Sequence, residues 1–229
     1  MTTSVIVERR PPIRIVRLDS GKRNILTTTA VEELKDALSP DPEAPAIVLL
    51  GRTDGFCSGL DNASLAESQS SRDALLAAMG ELLYEALAGP TRIVCGCEGH
   101  AVAAGAMLLL VSDIRLGVPG SYKIGFTEPR IGMPLPELPA LLARERLDRR
   151  RLHDLTVLGR IVGPAEAAEV GFLDELVEAD ALEAEAIARA EEIASLSDAA
   201  YRGSISSVWG AAIERIKTLA DEQVARRDG

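Results

Sequence analysis

Residues 99–115, GHAVAAGAMLLLVSDIR, decide how the rest of the chain is read. Small residues come first (Ala101, Ala103, Ala104, Gly105, Ala106), then the apolar run 107–111, then Ser112-Asp113. A helix that opens in Gly and Ala has little side chain at its mouth. Its first N–H groups have no partner inside the helix, and the dipole adds partial positive charge there. Such an end suits a developing oxyanion. The apolar continuation marks a buried helix, so its mouth opens into a pocket. Tight packing against a neighbour accounts for the same small residues, and this segment alone leaves both readings open.

Working outward, residues 5–7 and 13–18 alternate as strands around Pro11-Pro12, an opening hairpin. Residues 27–38 have helical spacing at Val31, Leu34 and Leu38, with Thr28 or Thr29 as the cap. Residues 46–50 are a buried strand. Residues 64–88 read as mostly helical, with Ser64 and Glu67 spaced as a capping box. Residues 92–97 are another strand, and 114–118 and 122–126 two short ones around Pro119-Gly120. From about residue 130 the pattern is all helix: 138–146, 149–158, a helix between Pro164 and Gly171, then 181–195 and 204–227. The expected fold class is α/β, a core of crossover units followed by a C-terminal helical lid or arm. The long last helices carry apolar faces that need a partner, so self-association is expected.

Composition narrows the function. The chain has 229 residues, enough for one sizeable core, of which 3% are aromatic, so aliphatic side chains must fill that core. The net charge of −10 argues against a broad nucleic-acid surface and against an anionic membrane. No apolar stretch approaches the roughly 20 residues that span a bilayer. Cys57, Cys95 and Cys97 are an odd set with no signal peptide ahead of them, which points to a reducing cytoplasm. Cys95 and Cys97 lie in what reads as a buried strand and lack a second ligand cluster, so no metal is expected.

Three pieces carry chemistry. Gly59 in FCSGLD (56–61) lets the backbone turn so that the N–H of Leu60 points inward. The mouth at 103–105 offers another free N–H, that of Ala104. Residues 125–132, GFTEPRIG, place Glu128 after a strand in an apolar setting. Together with KRNILTTTAVEEL (22–34) and GPAEAAEVGFLDELV (163–177), these segments resemble the crotonase (enoyl-CoA hydratase/isomerase) superfamily over nearly the whole chain. The resemblance implies a core spiral of ββα units over residues 1–175, a C-terminal helical region over 176–229 that mediates trimerisation, and a homo-trimer or a hexamer built from two trimers. It implies an acyl-CoA thioester as ligand, with CoA part of the substrate and no separate cofactor. By position, the N–H groups of Leu60 and Ala104 would form an oxyanion hole, each donor worth ~3 kcal/mol or more to the transition state. Arg23, Asn24, Leu26, Ser58, Gly59, Asp61, Gly105 and Met107 would line the substrate, with Lys22 a further CoA candidate.

The departures from the family decide the chemistry expected. Hydratases of this family hold water with two glutamates. Here the first position is Met107, and only the second, Glu128, is a carboxylate. One carboxylate can move a proton from C2 to C4 of a 3-enoyl thioester, as family isomerases do, so a Δ3-Δ2 enoyl-CoA isomerase is expected. A hydratase, or another acyl-CoA lyase or hydrolase, would need Glu137 or Asp61 as substitute. A non-catalytic acyl-CoA-binding scaffold is the third reading. Ala103-Ala104 also stand where the family commonly has glycines, which keeps the backbone donors and adds methyls.

Other groups have plain readings. Either His100, just before the helix mouth, or His153, in an arginine-rich helix, could serve as an acid/base, but His100 reads as a packed or surface residue. Ser58 with His100 and Asp113 lacks the elbow context of a hydrolase triad. Asp61 and Asp113 read as acceptors for nearby backbone donors. Arg144, Arg146, Arg149, Arg150 and Arg151 form a solvated face, with CoA phosphates as the alternative partner.

Overall fold

The computed structural model describes residues 3–21, 23–53 and 55–228. In chain order the strands are β1 (Val5–Arg10), β2 (Ile13–Leu18), β3 (Ala46–Leu50), β4 (Arg92–Cys97), β5 (Ala101–Val102), β6 (Ile114–Gly117), β7 (Ile124–Gly125) and β8 (Glu175–Leu176). The helices are α1 (Thr28–Leu38), α2 (Asn62–Glu67), α3 (Gln69–Ala88), α4 (Ala104–Val111), α5 (Glu137–Arg146), α6 (Leu152–Thr156), α7 (Pro164–Val170), α8 (Leu182–Ala194) and α9 (Asp198–Asp228). A 3₁₀ turn covers Glu128–Ile131.

The main sheet runs β1-β2-β3-β4-β6-β8. β1 and β2 are the antiparallel hairpin, Val5 opposite Leu18 and Arg10 opposite Ile13. Every later addition is parallel. A second layer holds the parallel pair β5-β7, which single bridges extend to Cys57 opposite Ala101 and Leu26 opposite Leu60. The chain thus repeats one unit: a strand in the main sheet, a short extended piece in the second layer, then helix. This is the expected ββα spiral.

Period-2 alternation sorts the side chains. Val16, Leu18, Ile47, Leu49, Ile93, Cys95 and Cys97 pack in the larger core under α1, α3 and α4. Ile13, Ile15, Ala46, Val48, Leu50 and Val94 face the other way, onto Leu182, Ala186 and Ala190 of α8. β3 is buried at all five positions, as a parallel strand covered on both faces must be. So α8 is a layer on the sheet, not an arm. α9 lies against α3, close enough that a Cβ on Gly80 would sit 3.3 Å from the Ala220 Cα. Its start is pinned by Tyr201, whose hydroxyl donates to the Asp113 carboxylate at 2.9 Å.

Several boundaries differ from the expectation. Thr27, not Thr28 or Thr29, caps α1 through its hydroxyl. Residues 62–88 are two helices broken at Ser68, which caps α3, while Asp61 caps α2. The Ser64/Glu67 spacing therefore marks no helix start. The helix read over 149–158 shrinks to α6. β8 interrupts the stretch read as all helix: it is two residues long, too short for a periodicity to register, and the 175/176 division falls inside it. Among the described residues, no helix is long and apolar enough to cross a membrane.

Candidate active site

The second layer gathers the site. Its pieces run parallel from Leu26 through the 57–60 loop and β5 to β7, so their C-terminal ends share one edge. Leu60 lies three residues past Cys57, Ala104 two past Val102, and Glu128 three past Gly125. Ligand sites of parallel sheets form at such ends.

The 56–61 loop lies directly on the mouth of α4. A Cβ on Gly105 would come within 2.2 Å of the Cys57 carbonyl oxygen, so no larger residue fits unless the loop moves. Gly59 has φ +101°, open to glycine at little cost, and a Cβ there would meet the Ala103 methyl at 3.2 Å. Most backbone donors here are engaged. Cys57 donates to the His100 carbonyl at 2.9 Å, Ser58 to Arg23 at 3.1 Å, Asp61 to Leu26 at 2.9 Å, and Ala103 to Gly125 at 3.0 Å. Among the described residues, the N–H groups of Leu60 and Ala104 find no backbone acceptor, and neither do those of Gly59, Gly105 and Ala106. Ala103, the residue that turns the chain into α4, sits at φ 51°, ψ −115° with no side-chain cap. That is a costly conformation for a residue with a Cβ.

Glu128 opens the 3₁₀ turn. Burial pushes its carboxyl above the usual range, and bonds from its own N–H and that of Thr127 hold it back only in part. Its Oε2 is buried and has no partner among the described residues. Met107, on the first turn of α4, is 8% exposed within the apolar core.

The other expected site residues fall into two groups. Ser58, Gly59, Gly105 and Met107 belong to the loop and helix just described. Asn24 (0% exposed) has no free side-chain group: its amide donates to the Leu18, Gly55 and Phe56 carbonyls at 2.8, 3.0 and 3.2 Å. Its Oδ1 accepts from the Ser20 N–H. Asn24 therefore fixes the loop ahead of Leu60 and does not reach a ligand by its side chain. The Asp61 carboxylate is likewise engaged, accepting from Ser64 N–H at 2.9 Å and from the Ser64 hydroxyl at 2.7 Å. Leu26 is fully buried, and Arg23 is exposed. Lys22 lies outside the described residues.

Ser58, His100 and Asp113 are not joined as a triad by any hydrogen bond among the described residues. His100 Nδ1 accepts from the Lys123 N–H, and the Asp113 oxygens serve Ile93 N–H and Tyr201. The three cysteines are buried, and burial raises each thiol, Cys57 and Cys97 to about 12. Among the described residues no three His, Cys, Asp or Glu side chains cluster as a metal site. The arginine cluster divides. Arg146 donates to the Leu110 and Ser112 carbonyls, Arg150 pairs with Asp148, and Arg151 with Asp154 and Glu166. Arg144 and Arg149, with His153, instead line a groove of about 570 Å³ that begins at Pro129, next to Glu128. Sequence reading misses this groove because α5, α6 and the 129–135 segment meet only in the fold.

The enoyl-CoA hydratase/isomerase family model matches residues 8–222. A probable enoyl-CoA hydratase of Mycobacterium tuberculosis is 30% identical over 211 residues, 90% of this chain and 73% of that one. The ligand-free structure of a Mycobacterium tuberculosis enoyl-CoA isomerase superposes with a TM-score of 0.91 at 28% identity, covering 98% of this chain and 99% of that one. The human mitochondrial Δ3-Δ2-enoyl-CoA isomerase has the same fold, with a TM-score of 0.90 at 22% identity over 98% of this chain and 90% of that one.

Proposed function

The chain belongs to the enoyl-CoA hydratase/isomerase family, and from that premise we propose that it is a Δ3-Δ2 enoyl-CoA isomerase working through Glu128. The thioester carbonyl is held by the N–H groups of Leu60 and Ala104. Glu128 takes a proton from C2, and the charge moves onto the carbonyl oxygen facing those two donors. The double bond then forms between C2 and C3 as the same carboxyl returns the proton to C4. Nothing is added to or lost from the substrate, and the base ends as it began. A carboxyl raised by burial suits reversible transfer, because neither giving nor taking the proton is strongly favoured.

The observation that carries this reading is the Glu128 Oε2, buried and without a partner among the described residues. Adding water would need a second acid/base, and the two substitutes are engaged elsewhere. Glu137 is held by two bonds from Arg215 at 2.7 Å, and Asp61 caps α2. Met107 offers water no hydrogen bond of useful strength.

The test is turnover of a 3-enoyl-CoA to its 2-enoyl isomer. Glu128→Gln is expected to lower kcat by roughly 10²–10⁴-fold, the usual contribution of a general base. The acid limb of kcat/KM should lie above the ordinary carboxylate range. Unchanged activity in the variant, or solvent oxygen in the product, overturns the reading. A trimer, or a pair of trimers, is proposed for the assembly. Leu196, just before α9, and Val208, in the first half of α9, are 51% and 74% exposed and support it, and mass measurement in solution tests it.

A further inference from the structure

The order of the second layer gives the site a direction. The segment 23–26 and the 58–61 loop lie at one end, the α4 mouth in the middle, and Glu128 at the other end beyond β7. On the reading proposed above, a thioester seated at Leu60 and Ala104 with CoA toward residues 23–26 sends its acyl chain toward Glu128. The groove begins at Pro129, the residue that follows Glu128 in the chain. Met133, Leu135 and Leu152 give it apolar walls, and its volume of about 570 Å³ lies in the range of small-ligand clefts.

Two exposed guanidinium groups line the same groove, those of Arg144 and Arg149. Among the described residues neither makes an ion pair or a side-chain hydrogen bond, whereas Arg146, Arg150 and Arg151 beside them are all engaged. The charge of Arg144 reaches Glu137, but that carboxylate is already held by two bonds from Arg215. In a chain of net charge −10, two unengaged arginines on an apolar groove next to the base are complementary to one kind of group. We propose that the groove receives the far end of an acyl chain bearing a carboxylate, held by Arg144 and Arg149. The preferred substrates are then ω-carboxyacyl-CoA thioesters, with the apolar walls around the methylenes and the arginines at the terminus.

Binding of saturated, unreactive thioesters tests this apart from catalysis. Octanoyl-CoA and its ω-carboxylated counterpart are titrated calorimetrically into the full chain and into Arg144→Gln and Arg149→Gln. The carboxylated ester is expected to bind roughly tenfold more tightly, the size of charge-assisted hydrogen bonds. That ratio should fall toward one in each variant and persist in Arg150→Gln, whose partner Asp148 lies outside the groove. Equal affinities in the parent chain overturn the proposal and leave the isomerase reading standing. Equal weakening of both esters in the variants also overturns it, because the arginines would then be meeting CoA phosphates. Binding of neither ester overturns both readings.

Discussion

The two ends of α4, a helix of eight residues, follow opposite rules. At its C-terminal end the polar groups of Leu108, Leu109, Leu110 and Ser112 are answered. The Ser112 hydroxyl donates to the Leu108 carbonyl at 2.8 Å. Arg146 reaches across to the Leu110 and Ser112 carbonyls at 3.1 and 2.9 Å and lies over the Trp209 ring at 4.6 Å. A cation there also complements the helix dipole. At the N-terminal end no side chain caps the helix, a residue with a Cβ occupies a costly conformation, and the Ala104 N–H has no backbone acceptor among the described residues. The closed end holds α5 and α9 to the core. The open end has donors to offer a ligand. The difference teaches where to look for function in a buried helix: at the end the fold leaves unfinished.

The largest blow to this contrast is Gly105→Ala at the open end. The new methyl would meet the Cys57 carbonyl oxygen at 2.2 Å, so the loop carrying Leu60 must move away. A stability loss of about 4 kcal/mol is expected. On the proposed reading, turnover of a 3-enoyl-CoA by the fraction still folded should fall further than that loss explains. Urea unfolding beside kinetics measures both, and a variant with parental values would mean the loop and helix do not set each other's position. At the closed end, Arg146→Met removes two hydrogen bonds and the guanidinium over Trp209. About 2–3 kcal/mol of stability should go, read from the urea midpoint, with kcat of the folded protein nearly unchanged. A large drop in kcat there would erase the distinction between the ends. Ala103→Gly works in the opposite direction. Relief of the positive φ, less the entropy glycine adds to the unfolded chain, should stabilise by about 1 kcal/mol. A lower thermal midpoint would show that the methyl, not the backbone, matters at that position.

The smallest effect is the pH dependence set by Glu128, and its sign is fixed. Burial raises this carboxyl in the folded chain above its ordinary value of 4.5. Below that value it is protonated whether folded or not. As pH rises through the raised value the unfolded chain ionises freely while the buried group resists, so the native state loses stability. Glu128→Gln should therefore unfold at a higher midpoint than the parent at neutral pH, and the two should converge in acid. A gap that stays constant with pH would place the carboxyl in water.

Much of the fold and site is legible in the sequence, for definite reasons. Pro164 and Gly171 bracket α7 because each has one dominant backbone habit. The apolar run 46–50 could only be a strand covered on both sides. Leu60, Ala104 and Glu128 are legible as segments, and the fold brings their backbones to one edge. The hidden part depends on contacts far apart in the chain. Asn24 looks like a loop residue available to a ligand, until its amide is seen bonded to Leu18, Gly55 and Phe56. Asp113 reads as a backbone acceptor, which it is for Ile93, but Tyr201 lies 88 residues away. Arg144 and Arg149 look identical to Arg150 and Arg151, since sequence does not show which arginines find a carboxylate.

The two donors at the open end belong to peptide bonds, and this bears on how such a protein can change over generations. A side-chain donor vanishes with one codon; a main-chain N–H survives every replacement except proline. Leu60, only partly buried, can therefore vary in bulk while its donor persists, whereas Ala104 is fully buried and has less room. On the proposed reading, mutation is free to reshape what the site admits, provided Gly105 stays small enough to keep the Leu60 loop and the α4 mouth together.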